Sequence, residues 1–184
     1  MERGYDFWMG GKFAVKLLME NWREYLNEGM KTIDDIGEVI FNPPEKEGGH
    51  GRFSIYDIDP ESDGALVGQV YFVQLPHNVN SCWDEEYKIY RINDISAYVS
   101  GYGPVLYDLV MEYASVNGDG LVPSGGKFGG NLSDPASKVW EKYLDRMDVV
   151  REYIPRCKNY IYSKRYVSPS LVDQLKEKGK YEQI

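Results

Sequence analysis

The chain has 184 residues, 42% of them hydrophobic and 27% charged, which suits one domain with a real core and excludes wholesale disorder. Its formal net charge of −8 opposes nucleic acid and anionic membranes, so duplex binding is not expected. No run approaches the ~18 consecutive apolar residues of a membrane span, and the start lacks a basic region followed by an apolar signal core, so the reading is a chain that stays in the cytoplasm of the cell that makes it.

Two cysteines, Cys82 and Cys157, are too few for a disulfide scaffold or a thiolate metal site and fit a reducing compartment. His50 and His77 stand apart from each other and from the cysteines, as surface histidines do, so no metal is expected. Sixteen tyrosines can fill a core and still present hydroxyls to a cleft.

In chain order, residues 1–11 show no period. Over residues 12–27, Phe13, Leu17, Leu18, Trp22, Tyr25 and Leu26 recur at helical spacing, which predicts an amphipathic helix. A second short helix is expected over residues 32–41, capped by Thr32, with Ile33, Ile36, Val39 and Ile40 on one side. Pro43, Pro44, Gly48 and Gly49 make residues 42–51 a loop. Residues 52–57 and 65–75 read as two strands of an antiparallel hairpin, joined by a turn at residues 59–64. Residues 76–86 are polar and irregular.

Ile89, Ile92, Ile95, Ala97 and Val99 then give a β-branched strand broken at Gly101 and Gly103, after which Val105, Leu106, Leu109, Val110, Tyr113 and Ala114 recur as in a helix. Pro104 suits its first position and Gly118 its stop. A glycine turn feeding a helix gathers N–H groups at the positive end of the helix dipole, which is a place for phosphate. Residues 120–123 form a short strand. Residues 124–130 hold four glycines around Lys127 and are a connector or a second anion cradle. A helix capped by Asp134 should bury Val139, Trp140, Tyr143, Leu144 and Met147. Residues 158–167 supply a late strand, and residues 170–178 a polar terminal helix, exposed or docked on a partner. The expected architecture is a mixed α/β single domain, with helices on both faces of a twisted sheet.

The segment Tyr98-Val-Ser-Gly101-Tyr-Gly103 resembles motif A of the GNAT acyltransferase family, in which Gln or Arg, two variable residues and Gly-x-Gly hold the pyrophosphate of acetyl-CoA. Gly64-Ala-Leu-Val-Gly68-Gln-Val-Tyr-Phe resembles that family's preceding strand, Gly120-Leu-Val-Pro its next strand and Ser133-Asp-Pro-Ala-Ser-Lys-Val-Trp-Glu-Lys-Tyr143 its next helix. With Asn159-Tyr-Ile-Tyr-Ser-Lys and Gln174-Leu-Lys-Glu-Lys-Gly-Lys, the chain looks similar to GNAT-like proteins of tailed phages over more than half its length. The resemblance implies a GNAT-like fold of mixed α+β type over residues 29–184, with acetyl-CoA as cofactor and an unidentified amine as acceptor. It implies that the backbone of Ile95, Ser96, Ala97, Tyr98 and Val99 faces the thioester and pantetheine, while Ser100, Gly101, Tyr102 and Gly103 hold the pyrophosphate. Asp94 stands where family members often place a base, and would act through water; Tyr143 is the candidate acid.

Three departures stand against catalysis. Tyr98 replaces Gln or Arg, Pro104 removes an amide from the turn, and Trp140 takes the acid's place with Tyr143 one turn late. The competing reading is a non-catalytic, GNAT-shaped virion or internal head protein that contacts other virion proteins. Residues 1–28 would then be a processed leader, because Met19-Glu-Asn-Trp-Arg-Glu-Tyr-Leu-Asn-Glu28 resembles leaders of internal head proteins in T4-like phages. Leu26-Asn-Glu28 and Leu18-Met-Glu20 both fit their cleavage pattern.

Overall fold

The structure, a computed structural model, describes residues 31–46, 48–58, 64–76, 87–123, 133–165 and 169–184. The expected leader and its cleavage sites, His77, Cys82 and the glycine-rich segment 124–130 lie outside these residues.

Thr32 opens the described chain with a reciprocal cap: its hydroxyl accepts from the Asp34 N–H at 3.2 Å, and the Asp35 carboxylate accepts from the Thr32 N–H at 2.7 Å. The cap starts one 3-10 turn, Ile33–Asp35, rather than the expected helix, and the chain then enters strand β1 (Ile36–Asn42). Ile36 pairs with Asp57 and Glu38 with Tyr56, so Gly37 is the extra residue of a bulge. That bulge puts Ile36 and Val39, three apart, both at 0% exposure. A spacing of three is what a helix would give, which is why the pattern misleads.

β2 (His50–Asp57), β3 (Leu66–Gln74) and β4 (Ile89–Ala97) follow as an antiparallel meander, with the 52–57 and 65–75 strands in the expected hairpin. Helix α1 (Tyr102–Asn117) leads to β5 (Gly120–Val122), which pairs parallel to β4. Helix α2 (Asp134–Tyr143), the hairpin β6 (Val149–Ile154) and β7 (Asn159–Lys164), helix α3 (Leu171–Glu177) and β8 (Tyr181–Gln183) complete one eight-stranded mixed sheet of order β6-β7-β5-β4-β3-β2-β1-β8. The late region therefore holds three strands where one was expected. β6 was hidden because four of its six residues are exposed, and β8 because it is three residues long.

Three local expectations are corrected. Ser133, not Asp134, caps α2, by accepting from the Ala136 N–H. α2 ends at Tyr143, so Leu144 and Met147 are exposed, whereas Val139, Trp140 and Tyr143 are buried as expected. Pro104 is the third residue of α1 rather than the first, still within the turn whose N–H groups lack intrahelical partners.

The main core lies between the sheet and α1. Phe41, Phe53 and Phe72 stack across three strands, and Tyr113 of α1 lies 5.1 Å from both Phe41 and Phe72. Side chains from α2 and α3 join this same core. The expectation of helices on both faces is thus not met among the described residues. The reverse face carries a smaller cluster of Ile89, Val122, Ile154, Cys157 and Ile161. Cys157 is disulfide-bonded, which the cysteine count alone did not foresee.

The termini of the described chain are tied to each other. The Lys180 ammonium donates to the carbonyls of Ile33 at 3.1 Å and Ile36 at 2.5 Å, and its own carbonyl accepts from the Val39 N–H at 2.8 Å. α3 docks through its N-terminus, where the buried Glu112 carboxylate of α1 accepts from the N–H groups of Leu171 and Val172 at 2.9 and 3.0 Å. The terminal helix, expected to be exposed or docked on a partner, instead packs Leu171 and Leu175 into its own core.

Candidate functional site

The site begins where the described pairing of β4 with β5 stops. Their parallel pairing runs only from Ile89 opposite Gly120 to Arg91 opposite Val122, where β5 ends. Beyond that point, over residues 93–97, no described strand pairs with this edge of β4. On its other side β4 stays paired to β3 as far as Ala97 opposite Gly68.

A bulge marks the parting. Tyr71 pairs with Asp94 and Phe72 with Ile92, so Asn93 is supernumerary. Past it, the strand's alternation decides which amides face outward. The Tyr98 N–H donates to the Val67 carbonyl at 2.9 Å, and so does that of Val99 at 3.3 Å. Because backbone groups alternate sides along an antiparallel strand, Ser96 points the same way as Tyr98, and Ile95 and Ala97 turn their amides to the open edge. Of the five residues expected to line the thioester with backbone, Ile95 and Ala97 are the ones whose amides turn to the edge that no described strand pairs. Ser96 faces β3, while the N–H groups of Tyr98 and Val99 are engaged by Val67.

At the end of the open stretch the chain turns through Ser100 and Gly101 into α1. Gly101 sits at φ 95°, ψ −16°, in the left-handed region where a Cβ is strained. No side chain caps the first turn. A Cβ on Gly103 would meet no atom of the described residues within 4 Å. Pro104 offers no N–H, which leaves Tyr102 and Gly103 as the first-turn donors before it.

The turn is clamped from below. The Gly101 carbonyl accepts from the Lys31 N–H at 3.2 Å, and the buried Tyr102 hydroxyl donates to the Asp35 carbonyl at 2.8 Å. Burial, followed by the charges of Asp57 and Asp35, pushes the Tyr102 phenol up, so it remains a donor. The Lys31 ammonium lies 3.6 Å from Asp35 and 5.7 Å from the centre of the Tyr102 ring, which puts a cation beside the helix start. Nothing in the local pattern around Lys31 marks it; only the closing of β1 under the turn brings it there.

Tyr98, 58% exposed, accepts a hydrogen bond on its hydroxyl from the Gln69 amide at 2.8 Å. Asp94 is exposed on the face of the sheet opposite α1, across from Tyr71. Tyr143 is elsewhere. It is 1% exposed, its hydroxyl donates to Asp108 at 2.8 Å, and its ring packs on Trp140. Trp140 is wedged among Tyr107, Tyr143 and Tyr162.

Asp108 is the centre of a buried charge network. Arg146 grips it with one guanidinium nitrogen, at 2.7 and 3.0 Å from its two oxygens, and holds Asp148 with the other two nitrogens. The Lys164 ammonium adds a contact at 3.5 Å. Burial alone would raise the Asp108 carboxyl, but the charges of Arg146 and Lys164 and hydrogen bonds from Arg146 and Tyr143 outweigh it and hold the group below the usual carboxylate range.

The described residues thus bring together a stretch of β4 edge that no described strand pairs, two amides that face it, a glycine turn at its end and the Asp94 carboxylate near its start. No family model, curated protein or solved structure matches the chain, so the site is read from its own geometry.

Proposed function

We propose that the protein is a GNAT-like N-acyltransferase, moving an acetyl group from acetyl-CoA to an amine. The observation that carries this reading is that the described pairing of β4 with β5 stops at Arg91 and Val122 while β4 runs on to the left-handed Gly101 and the start of α1. Ile95 and Ala97 would hold the pantetheine arm by backbone hydrogen bonds, as an added strand is held. The amides of Tyr102 and Gly103, the helix dipole and Lys31 would take the diphosphate.

Bound acetyl-CoA would supply an activated thioester. The chain's part is positioning, which dominates such transfers. Asp94 would take the amine's proton through a water molecule as the acyl group moves from sulfur to nitrogen. The departing thiolate needs a proton in turn. Tyr143 could give one only by leaving Asp108, so solvent is the simpler source.

Titration calorimetry and thermal shift with acetyl-CoA test the reading. Saturable binding with a raised melting temperature is expected; neither heat nor shift at millimolar cofactor removes it.

A second reading is favoured by the engaged Tyr143 hydroxyl and the missing Pro104 amide: a GNAT-shaped phage virion or internal head protein that acts by contact. Mass spectrometry of purified particles would then find the chain starting at Gly29. Its absence from particles counts against this reading.

A further inference from the structure

The sheet face turned away from α1 carries a polar cluster beside the stretch of β4 that no described strand pairs on its β5 side. Register puts Arg52, Tyr71 and Asp94 side by side on that face, and His50, Val73 and Arg91 in the adjoining row. The His50 ring nitrogen Nδ1 lies 3.3 Å from the Asn93 side-chain amide, a contact that crosses β3 above Val73. Val73 is 7% exposed yet belongs to neither apolar cluster. It is an apolar floor beneath a polar rim.

Two guanidinium groups stand on this rim, Arg52 over the Tyr71 ring at 5.9 Å and Arg91 at the last paired position of β4. Among the described residues neither forms an ion pair, and Asp94, in the row of Arg52, forms none either. In a chain of net charge −8, two arginines on one face could readily find carboxylates. Their planar forks suit an oxyanion, and each donates in pairs. Asp94 suits an ammonium.

We infer that this cluster is the acceptor subsite, and that the acceptor is an amine that also carries an oxyanion, held by Arg52 and Arg91 with its amine at Asp94. The inference rests on the acyltransferase reading for the word acceptor, but the subsite itself does not need the cofactor. Strand spacing of ~4.8 Å sets Arg52 and Asp94 about 10 Å apart at the backbone, a span that side chains narrow to the length of a short zwitterion.

The test is calorimetric titration of the full chain, without acetyl-CoA, using glycine, 4-aminobutyrate and 6-aminohexanoate. Phosphoethanolamine distinguishes phosphate from carboxylate, and hexylamine and hexanoate supply each charge alone. The expected result is saturable binding of at least one zwitterion, tighter than either single-charge probe. Arg52→Gln and Arg91→Gln should each weaken it about tenfold, with Lys at either position restoring part, and an unchanged melting temperature shows that the variants fold. If hexylamine binds as tightly as the zwitterions, if no zwitterion binds, or if both Gln variants keep full affinity, the subsite is overturned. Zwitterion binding without any acetyl-CoA binding leaves the subsite standing and removes the acyltransferase reading; the converse removes only the subsite.

Discussion

The Tyr143 hydroxyl donates to Asp108 at 2.8 Å, joining the end of α2 to the middle of α1 where both side chains are at most 4% exposed. A hydrogen bond to a charged group is worth ~1.5–3 kcal/mol. Tyr143→Phe should therefore lower unfolding free energy by about that amount in urea denaturation; an unchanged midpoint would mean that the bond is not made in solution.

Asp108 itself ties stability to acid pH. Its folded carboxyl lies below the ordinary value of 3.8, so its contribution is fully present above that value and disappears as pH falls through the lower folded one. Wild-type protein should lose stability below about pH 4. Asp108→Asn leaves Arg146 short of a partner and should cost ~3–5 kcal/mol at neutral pH, with a flatter acid limb. Equal acid slopes in the two proteins would show that Asp108 is not the group responsible.

Tyrosines set the alkaline limit. Burial, then the neighbouring Tyr90, pushes the Tyr113 phenol up to about 12, and burial followed by the charge of Glu112 takes Tyr181 up to about 12. Such groups stabilise fully below the unfolded value of 10.0 and withdraw that stability as pH climbs towards the folded one. Absorbance titration near 295 nm should show a late tyrosine class titrating with unfolding above pH 10. A single class at the ordinary value would contradict the buried cluster.

Glu112 holds the C-terminal elements. Glu112→Ala removes the acceptor for two α3 amides, and β8 pairs with β1 directly after that helix. Hydrogen exchange should speed up at the Leu171 and Val172 amides and at those of β8, while β3 and β4 stay protected. Uniform loss across the sheet would instead place Glu112 in the global core.

The two turn glycines should separate stability from binding. Gly101→Val forces a β-branched side chain to φ 95° and should cost ~1–2 kcal/mol or more. At Gly103 an added Cβ meets no described atom within 4 Å, so Gly103→Val should leave the melting temperature nearly unchanged while weakening acetyl-CoA by about tenfold or more, since its methyls would fill the diphosphate's place. Unaltered cofactor affinity in Gly103→Val would move the diphosphate elsewhere.

Much of the frame was legible in the residues. Ile89, Ile92 and Ile95 are β-branched residues that favour a strand, Gly101 permits the turn, and the apolar run from Val105 to Ala114 requires a helix, because each signal is local and its physics is complete within a few neighbours. The bulges at Gly37 and Asn93 were not legible, since a supernumerary residue exists only relative to a partner strand. Nor was the choice of Ile95 and Ala97 as the outward amides, which depends on Val67 accepting from Tyr98. The Asp108 network joins residues about 40 positions apart, and Arg52, Tyr71 and Asp94 become neighbours only through register. The sequence by itself determined the strand, the turn and the helix; the tertiary structure alone decided which edge stays open and which charges stand beside it, because those are properties of pairing between segments that share no local pattern.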